Sequence, residues 1–229
     1  MGYLDKVHLV NYSRKEDWMN SISHMAGGAA CFIYFALCIY KAFLLRSFKV
    51  GVIGFIYCAC MLFMFSCSAV YHGLRPNKGK KVMRMVDHSM IFVAVAGTIT
   101  PIAVFVMLPI KAWVGWTMLG VAWGAVALGI SLTMTLFEKT KALQMVLYMV
   151  VGWSMALAGF YIVPVFKANG IMNCAYLIVA GGVVYTLGAI LYGIGKKKKY
   201  FHFVFHLFIV AASVLHFLAI YMYVFPFKA

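Results

Sequence analysis

Two histidines four residues apart, His202 and His206, stand in the run HFVFH at the head of an apolar stretch. On a helix this spacing puts both imidazoles on one face, about 6 Å apart along the axis. One helix can give a metal ion two ligands in this way, as H-E-x-x-H helices do for zinc. His72 closes a second apolar run, SCSAVYHG, with Ser68 four residues before it. A third imidazole from that helix would complete three protein ligands and leave a fourth position for water, the pattern of catalytic zinc. Asp87 opens a third run, MVDHSMIFVAVAGTITP, and is the one acid of five expected at a span edge beside these histidines. A carboxylate near hydrocarbon depth is costly and should face the bundle with a partner. It could orient an imidazole, hydrogen-bond a water or serve as general base. A plainer reading stays open, with the histidines as interfacial anchors and Asp87 paired with Arg84 or a loop lysine. His8 and His88 are expected to be such anchors. Three imidazoles also suit divalent metals other than zinc.

The elements that must position these residues follow from hydropathy. The chain has 229 residues, 65% hydrophobic and 11% charged, against about 25% charged in a soluble domain. Its charges fall in clusters between apolar runs long enough to cross a bilayer. The runs are 24–45, 50–72, 86–109, 112–137, 142–166, 171–195 and 201–225. They predict one domain over 1–229: an all-α, polytopic membrane protein, a bundle of seven transmembrane helices. Continuous apolar runs exclude a β-barrel. Fourteen of the twenty Lys and Arg residues fall in the N-terminal tail and alternate connections, including Lys196 to Lys199, and six fall on the opposite side. The richer side is expected to be cytoplasmic. The N-terminus, with residues 1–23 as a cytoplasmic segment, is then inside and the C-terminus outside. That segment has no signal-peptide core and no Ser or Thr at its sixth position for myristoylation.

On this topology His72, Asp87, His202 and His206 share one depth, near the cytoplasmic face, though they come from three helices. His216 lies on the His202 stripe, about 21 Å deeper, too far to share a metal but able to line the same cavity. Asn20 and His24, in EDWMNSISHMAGG, are candidates to support the metal ligands or the route to them, or simply mark a helix start capped by Ser21 or Ser23. Pro101 should kink or loosen the third helix. The six cysteines lie in apolar runs with no CxxC pair and read as free thiols. The net charge of +15 suits anionic lipid headgroups at the cytoplasmic face, and nothing suggests nucleic-acid binding.

Three blocks, SAVYH, MVDHSMIFVAVAGTITP and HFVFHLFIVAASVLHF, in this order and spacing, resemble the hemolysin III proteins, the bacterial branch of the progestin and adipoQ receptor family. The resemblance covers essentially the whole chain. It implies a multi-pass protein of the bacterial plasma membrane with Zn2+ near the cytoplasmic face, held by His72, His202 and His206. Ser68 and Asp87 would stand near a water on the metal. It further implies a hydrolase of lipid amide or ester bonds, since the wider family looks like membrane hydrolases with ceramide as a substrate class. The family's name reflects cytolytic activity of some bacterial members. A pore-forming cytolysin, or a non-enzymatic regulator of membrane lipids with structural zinc, is therefore the alternative.

Overall fold

The computed structural model describes residues 2–195 and 198–227; Lys196, Lys197 and Lys228, counted above for orientation, lie outside them. The described residues are helical, with no strand. A short turn, Tyr3–Lys6, precedes α1 (Arg14–Leu44), α2 (Phe48–Gly73), α3 (Lys78–Ile102), α4 (Ala112–Ala168), α5 (Met172–Gly195) and α6 (Phe201–Ala219). These six are long and apolar enough to cross a membrane. α3 relaxes just after Pro101 into a wider π turn, Ala103–Met107, before Leu108–Ile110 completes it. A proline removes a helical donor and crowds the preceding turn, so loosening is the expected response. α6 continues into a similar turn, Ile220–Val224.

The runs 112–137 and 142–166, expected as separate helices, are joined in α4. Straight, its 57 residues would extend about 85 Å, nearly three times the hydrocarbon core. The helix is not straight. Leu136 is non-helical (φ −135°, ψ 28°). The Thr133 hydroxyl meets Gln144 Oε1 at 2.9 Å, across eleven residues that a straight helix would separate by about 16 Å. The chain therefore doubles back there and forms two limbs. No loop is needed, because a side chain from elsewhere takes over the broken bond. Phe137 N–H donates to the Tyr3 hydroxyl, which donates to Thr133 O, each at 3.1 Å. A regular helix would join those two backbone groups directly.

Two helices begin earlier than the apolar runs. α1 starts with a capping box: Ser13 Oγ accepts from Glu16 N–H and the Glu16 carboxylate accepts from Ser13 N–H. The cap is thus Ser13, not Ser21 or Ser23; those hydroxyls donate to Ala69 O and Asn20 O inside the bundle. Asn77 Oδ1 caps α3 by accepting from Lys80 N–H at 2.8 Å. These extensions carry the polar residues of the site. α3 is central: 72% of its apolar window is buried, against 17% to 44% for the other helices. Gly97 lets it press on α2, since a Cβ there would stand 2.5 Å from Cys60 Cβ. The six cysteines are free thiols. Phe43, Phe48 and Phe160 project outward, as lipid-facing side chains do.

Candidate metal centre

The starts of α1, α3 and α6, the end of α2 and the bend of α4 meet at one end of the bundle. There His202 Nε2 lies 3.3 Å from His72 Nε2 and 3.1 Å from His206 Nε2. All three side chains are buried, and one ligand atom from each falls within 4.8 Å of the others. The outer nitrogens fix the protons. His206 Nδ1 is 3.1 Å from Asn20 O, which can only accept, so Nδ1 carries hydrogen. His72 Nδ1 is 3.1 Å from Asp17 Oδ1 and is best served the same way. Both Nε2 atoms then aim bare lone pairs at His202, which can donate to only one of them. A cation held by all three relieves the conflict. The donor set fits a divalent metal with nitrogen ligands.

α1 supports two of these imidazoles. Asp17, Asn20 and His24, at i, i+3 and i+7, share one face. Asp17 Oδ2 also accepts from Lys80 Nζ at 2.5 Å, inside the protein. A carboxylate on the outer nitrogen of a metal-binding imidazole is a common support. The Asn20 backbone oxygen accepts from His206 Nδ1, and its side-chain amide lies beside His72, 3.4 Å from Nδ1. Ser23 Oγ lies 3.3 Å from His206 Nδ1. Glu16 fixes the start of α6 by accepting from Tyr200 N–H at 2.9 Å. Tyr200 adopts a left-handed conformation, φ 65°, rare for such a residue. Tyr12 stacks on His202, with centroids 5.0 Å apart and planes at 25°. Burial pushes its phenol well above its usual range, so it stays protonated.

A cavity of about 330 Å³ begins at this centre and runs between α2, α3, the second limb of α4, α5 and α6. Its upper lining includes Ser68, Asp87, Arg84, His88, His202 and His206. Ser68 and Asp87 face each other. Arg84 pairs with Glu138 at 3.3 Å, and His88 Nδ1 lies 3.8 Å from Asp87 Oδ2. His88 is therefore a cavity residue and not an interfacial anchor; its Nδ1 also donates to Arg84 O at 2.9 Å. His8 binds through its backbone, accepting from the Arg84 guanidinium and donating to Glu138. His24 lines the cavity and stacks on His206 at 3.7 Å; neither of its ring nitrogens has a hydrogen-bond partner among the described residues. His216 lies deeper, as expected, and donates from Nε2 to Ile178 O at 3.1 Å. Gly181 makes room for it, since a Cβ there would stand 2.3 Å from its ring. Between the ends the lining is mostly aliphatic and aromatic.

The model of the family described as "Haemolysin-III related" matches residues 12–217. The chain belongs to this family. The match takes in every residue of the centre from Tyr12 to His216. The chain is 27% identical to Hemolysin-3 of Bacillus cereus over 212 residues, 93% of each protein. It is 28% identical to a Hemolysin-3 homolog of Bacillus subtilis (strain 168), covering 93% of this chain and 96% of that one. The human Monocyte to macrophage differentiation factor is 23% identical over 85% of this chain and 86% of its own. No solved structure matches. As a haemolysin-III-related protein with six membrane-length apolar helices, the chain is a multi-pass protein of the cell membrane.

Sequence reasoning missed Asp17, Lys80 and Tyr12. Asp87 is not the only acid beside the histidines, because Asp17 is in direct contact with His72. The signal was present as the Asp17, Asn20, His24 stripe, hidden by placing the start of α1 too late.

Proposed function

We propose that the chain is a zinc-dependent intramembrane hydrolase of lipid amide or ester bonds, with seven spans, its N-terminus in the cytoplasm and its C-terminus outside. The observation that carries this is the three converging Nε2 atoms at the polar mouth of an apolar cavity. His72, His202 and His206 would hold the ion, and zinc in such a site makes water a competent nucleophile at neutral pH. Asp87 and Ser68 are the polar pair on the cavity wall beside it. Asp87 would take the proton from the attacking water and pass it to the leaving amine or alcohol as the acyl C–N or C–O bond breaks, and Ser68 would donate to Asp87 or to the oxygen on which charge develops. The apolar cavity holds the acyl chain, so the lipid enters from the bilayer and its polar end stays at the cytoplasmic face. The reversal at Leu136 supports seven crossings. The exposed cationic residues Arg75, Lys78, Lys198 and Lys199 at the histidine end support its cytoplasmic placement and contact with anionic headgroups.

The test is Asp87→Asn beside His206→Ala, each assayed for zinc by elemental analysis and for hydrolysis of ceramide and related lipid amides and esters. Asp87→Asn should keep about one zinc per chain and lose turnover, while His206→Ala loses both. Full turnover by Asp87→Asn, or no zinc in the parent chain purified without chelators, would remove the mechanism. The names of the Bacillus relatives support a second reading, a cytolysin. Dye leakage from vesicles that depends on the protein, but not on the histidines, would favour it.

A further inference from the structure

The segment ahead of α1 crosses the polar end of the bundle as a strap. Tyr3 ties one end into the bend of α4. Val7 is buried with Met85 and Phe137. Lys81 Nζ donates to Leu4 O at 2.9 Å, and His8 N–H to Glu138 Oε1 at 3.0 Å. From there the backbone runs without helix to Ser13, bringing Val10 and Tyr12 to the cavity mouth.

The three imidazoles are held differently. Hydrogen bonds from α1 engage the outer nitrogens of His72 and His206. His202 is contacted by rings: Tyr12 stacked at 5.0 Å, with Tyr192 and Phe205 tilted at 5.5 Å. His202 is also the second residue of α6, so no preceding helical turn packs against its side chain. His206, one turn further in, has that support. The stacked neighbour of His202 thus comes from the segment ahead of α1, outside the bundle. The Tyr12 ring also lies 5.7 Å from that of His72, and so covers the water-facing side of two ligands.

We propose that Tyr12 is a positioning residue: its ring face, held in place by the strap from the α4 bend, fixes His202 for metal binding and closes the centre to water. This rests on the metal-centre reading above. Loss of a residue that orients a metal ligand typically costs 10–100-fold in metal affinity.

The test follows loss of zinc from the loaded, detergent-solubilised full chain into excess EDTA, by elemental analysis at successive times. Tyr12→Ala should release zinc at least about tenfold faster than the parent. Tyr12→Phe keeps the ring and should release at the parent rate. Tyr3→Phe leaves every residue of the centre in place but removes one tie of the strap together with the hydroxyl that bridges the α4 bend, and should fall between. Parent-rate release from Tyr12→Ala would overturn the proposal, as would a Tyr12→Phe as fast as Tyr12→Ala. Should Tyr12→Ala not fold, Tyr12→Leu, which keeps bulk but no aromatic face, takes its place, and parent-rate release from it overturns the proposal. A loaded parent with unchanged variants defeats this inference alone. A parent that binds no zinc defeats the metal-centre reading as well.

Discussion

Replacing Asp17 with asparagine separates support of a metal ligand from support of the fold. The carboxylate has two oxygens and two donors: Oδ1 faces His72 Nδ1 at 3.1 Å and Oδ2 faces Lys80 Nζ at 2.5 Å. Asparagine has the same shape but only one oxygen. If that oxygen stays on Lys80, the amide N–H₂ faces His72 Nδ1. His72 then moves its proton to Nε2, where the ligand lone pair should be. If the oxygen turns to His72, the amide N–H₂ meets the ammonium. The side chains of Lys80 and Asp17 are 2% and 8% exposed, so solvent does little to soften either conflict. Metal affinity should fall 10–100-fold, about 1.4–2.8 kcal/mol. Breaking a buried pair from one side costs about 3–5 kcal/mol in stability. A second change, Lys80→Met, removes the stranded charge; Asp17→Asn/Lys80→Met should recover most of the stability but not the affinity. The assays are competition for zinc against a chromophoric chelator and thermal unfolding of the metal-free protein. A folded Asp17→Asn that binds zinc as tightly as the parent would refute the reasoning.

Gly97→Ala should destabilise the bundle by about 1–3 kcal/mol through overpacking, because the added carbon would stand 2.5 Å from Cys60 Cβ; an unchanged thermal midpoint would contradict the close contact of α2 and α3. Glu16→Ala removes both the capping box of α1 and the acceptor for Tyr200 N–H. It should cost about 1–2 kcal/mol in thermal unfolding, and zinc affinity should fall with it because Tyr200 starts the helix that carries two of the imidazoles.

The apolar runs located the helices because lipid-facing and buried residues alike are hydrophobic, so hydropathy reads their length directly. It could not read where helices begin in water. Ser13 and Asn77 start α1 and α3 well before the apolar residues, and the turns they add hold Asp17, Asn20, Lys80 and Arg84. His72, His202 and His206 were legible because i,i+4 spacing and shared depth are properties of sequence and topology. Asp17 was not, because its contact with His72 joins positions 55 apart on an extension that hydropathy treats as a tail. The reversal within α4 falls between two apolar runs, but the sequence does not show it as a loopless bend. What permits it is the Tyr3 hydroxyl, 130 residues away from Thr133, and no local signal in TLFEKTK points to it.

The distribution of polar groups along the cavity bears on the two functional readings. A conducting path through one chain needs hydrated groups over the full thickness of the membrane. Here the ionisable lining, Arg84, Asp87, His88, His202 and His206, gathers at one end. Some 21 Å further along α6, His216 already gives its Nε2 proton to Ile178 O, and its other nitrogen is buried without a partner. Between these ends the polar lining is Thr98, Tyr148 and Tyr185, too sparse to partner a continuous string of waters. A hydrocarbon chain needs none, and the intervening lining of Ile91, Val95, Met145, Met149 and Ile209 suits one. The polarity of the cavity thus suits the proposed lipid hydrolase better than a wide pore within one chain.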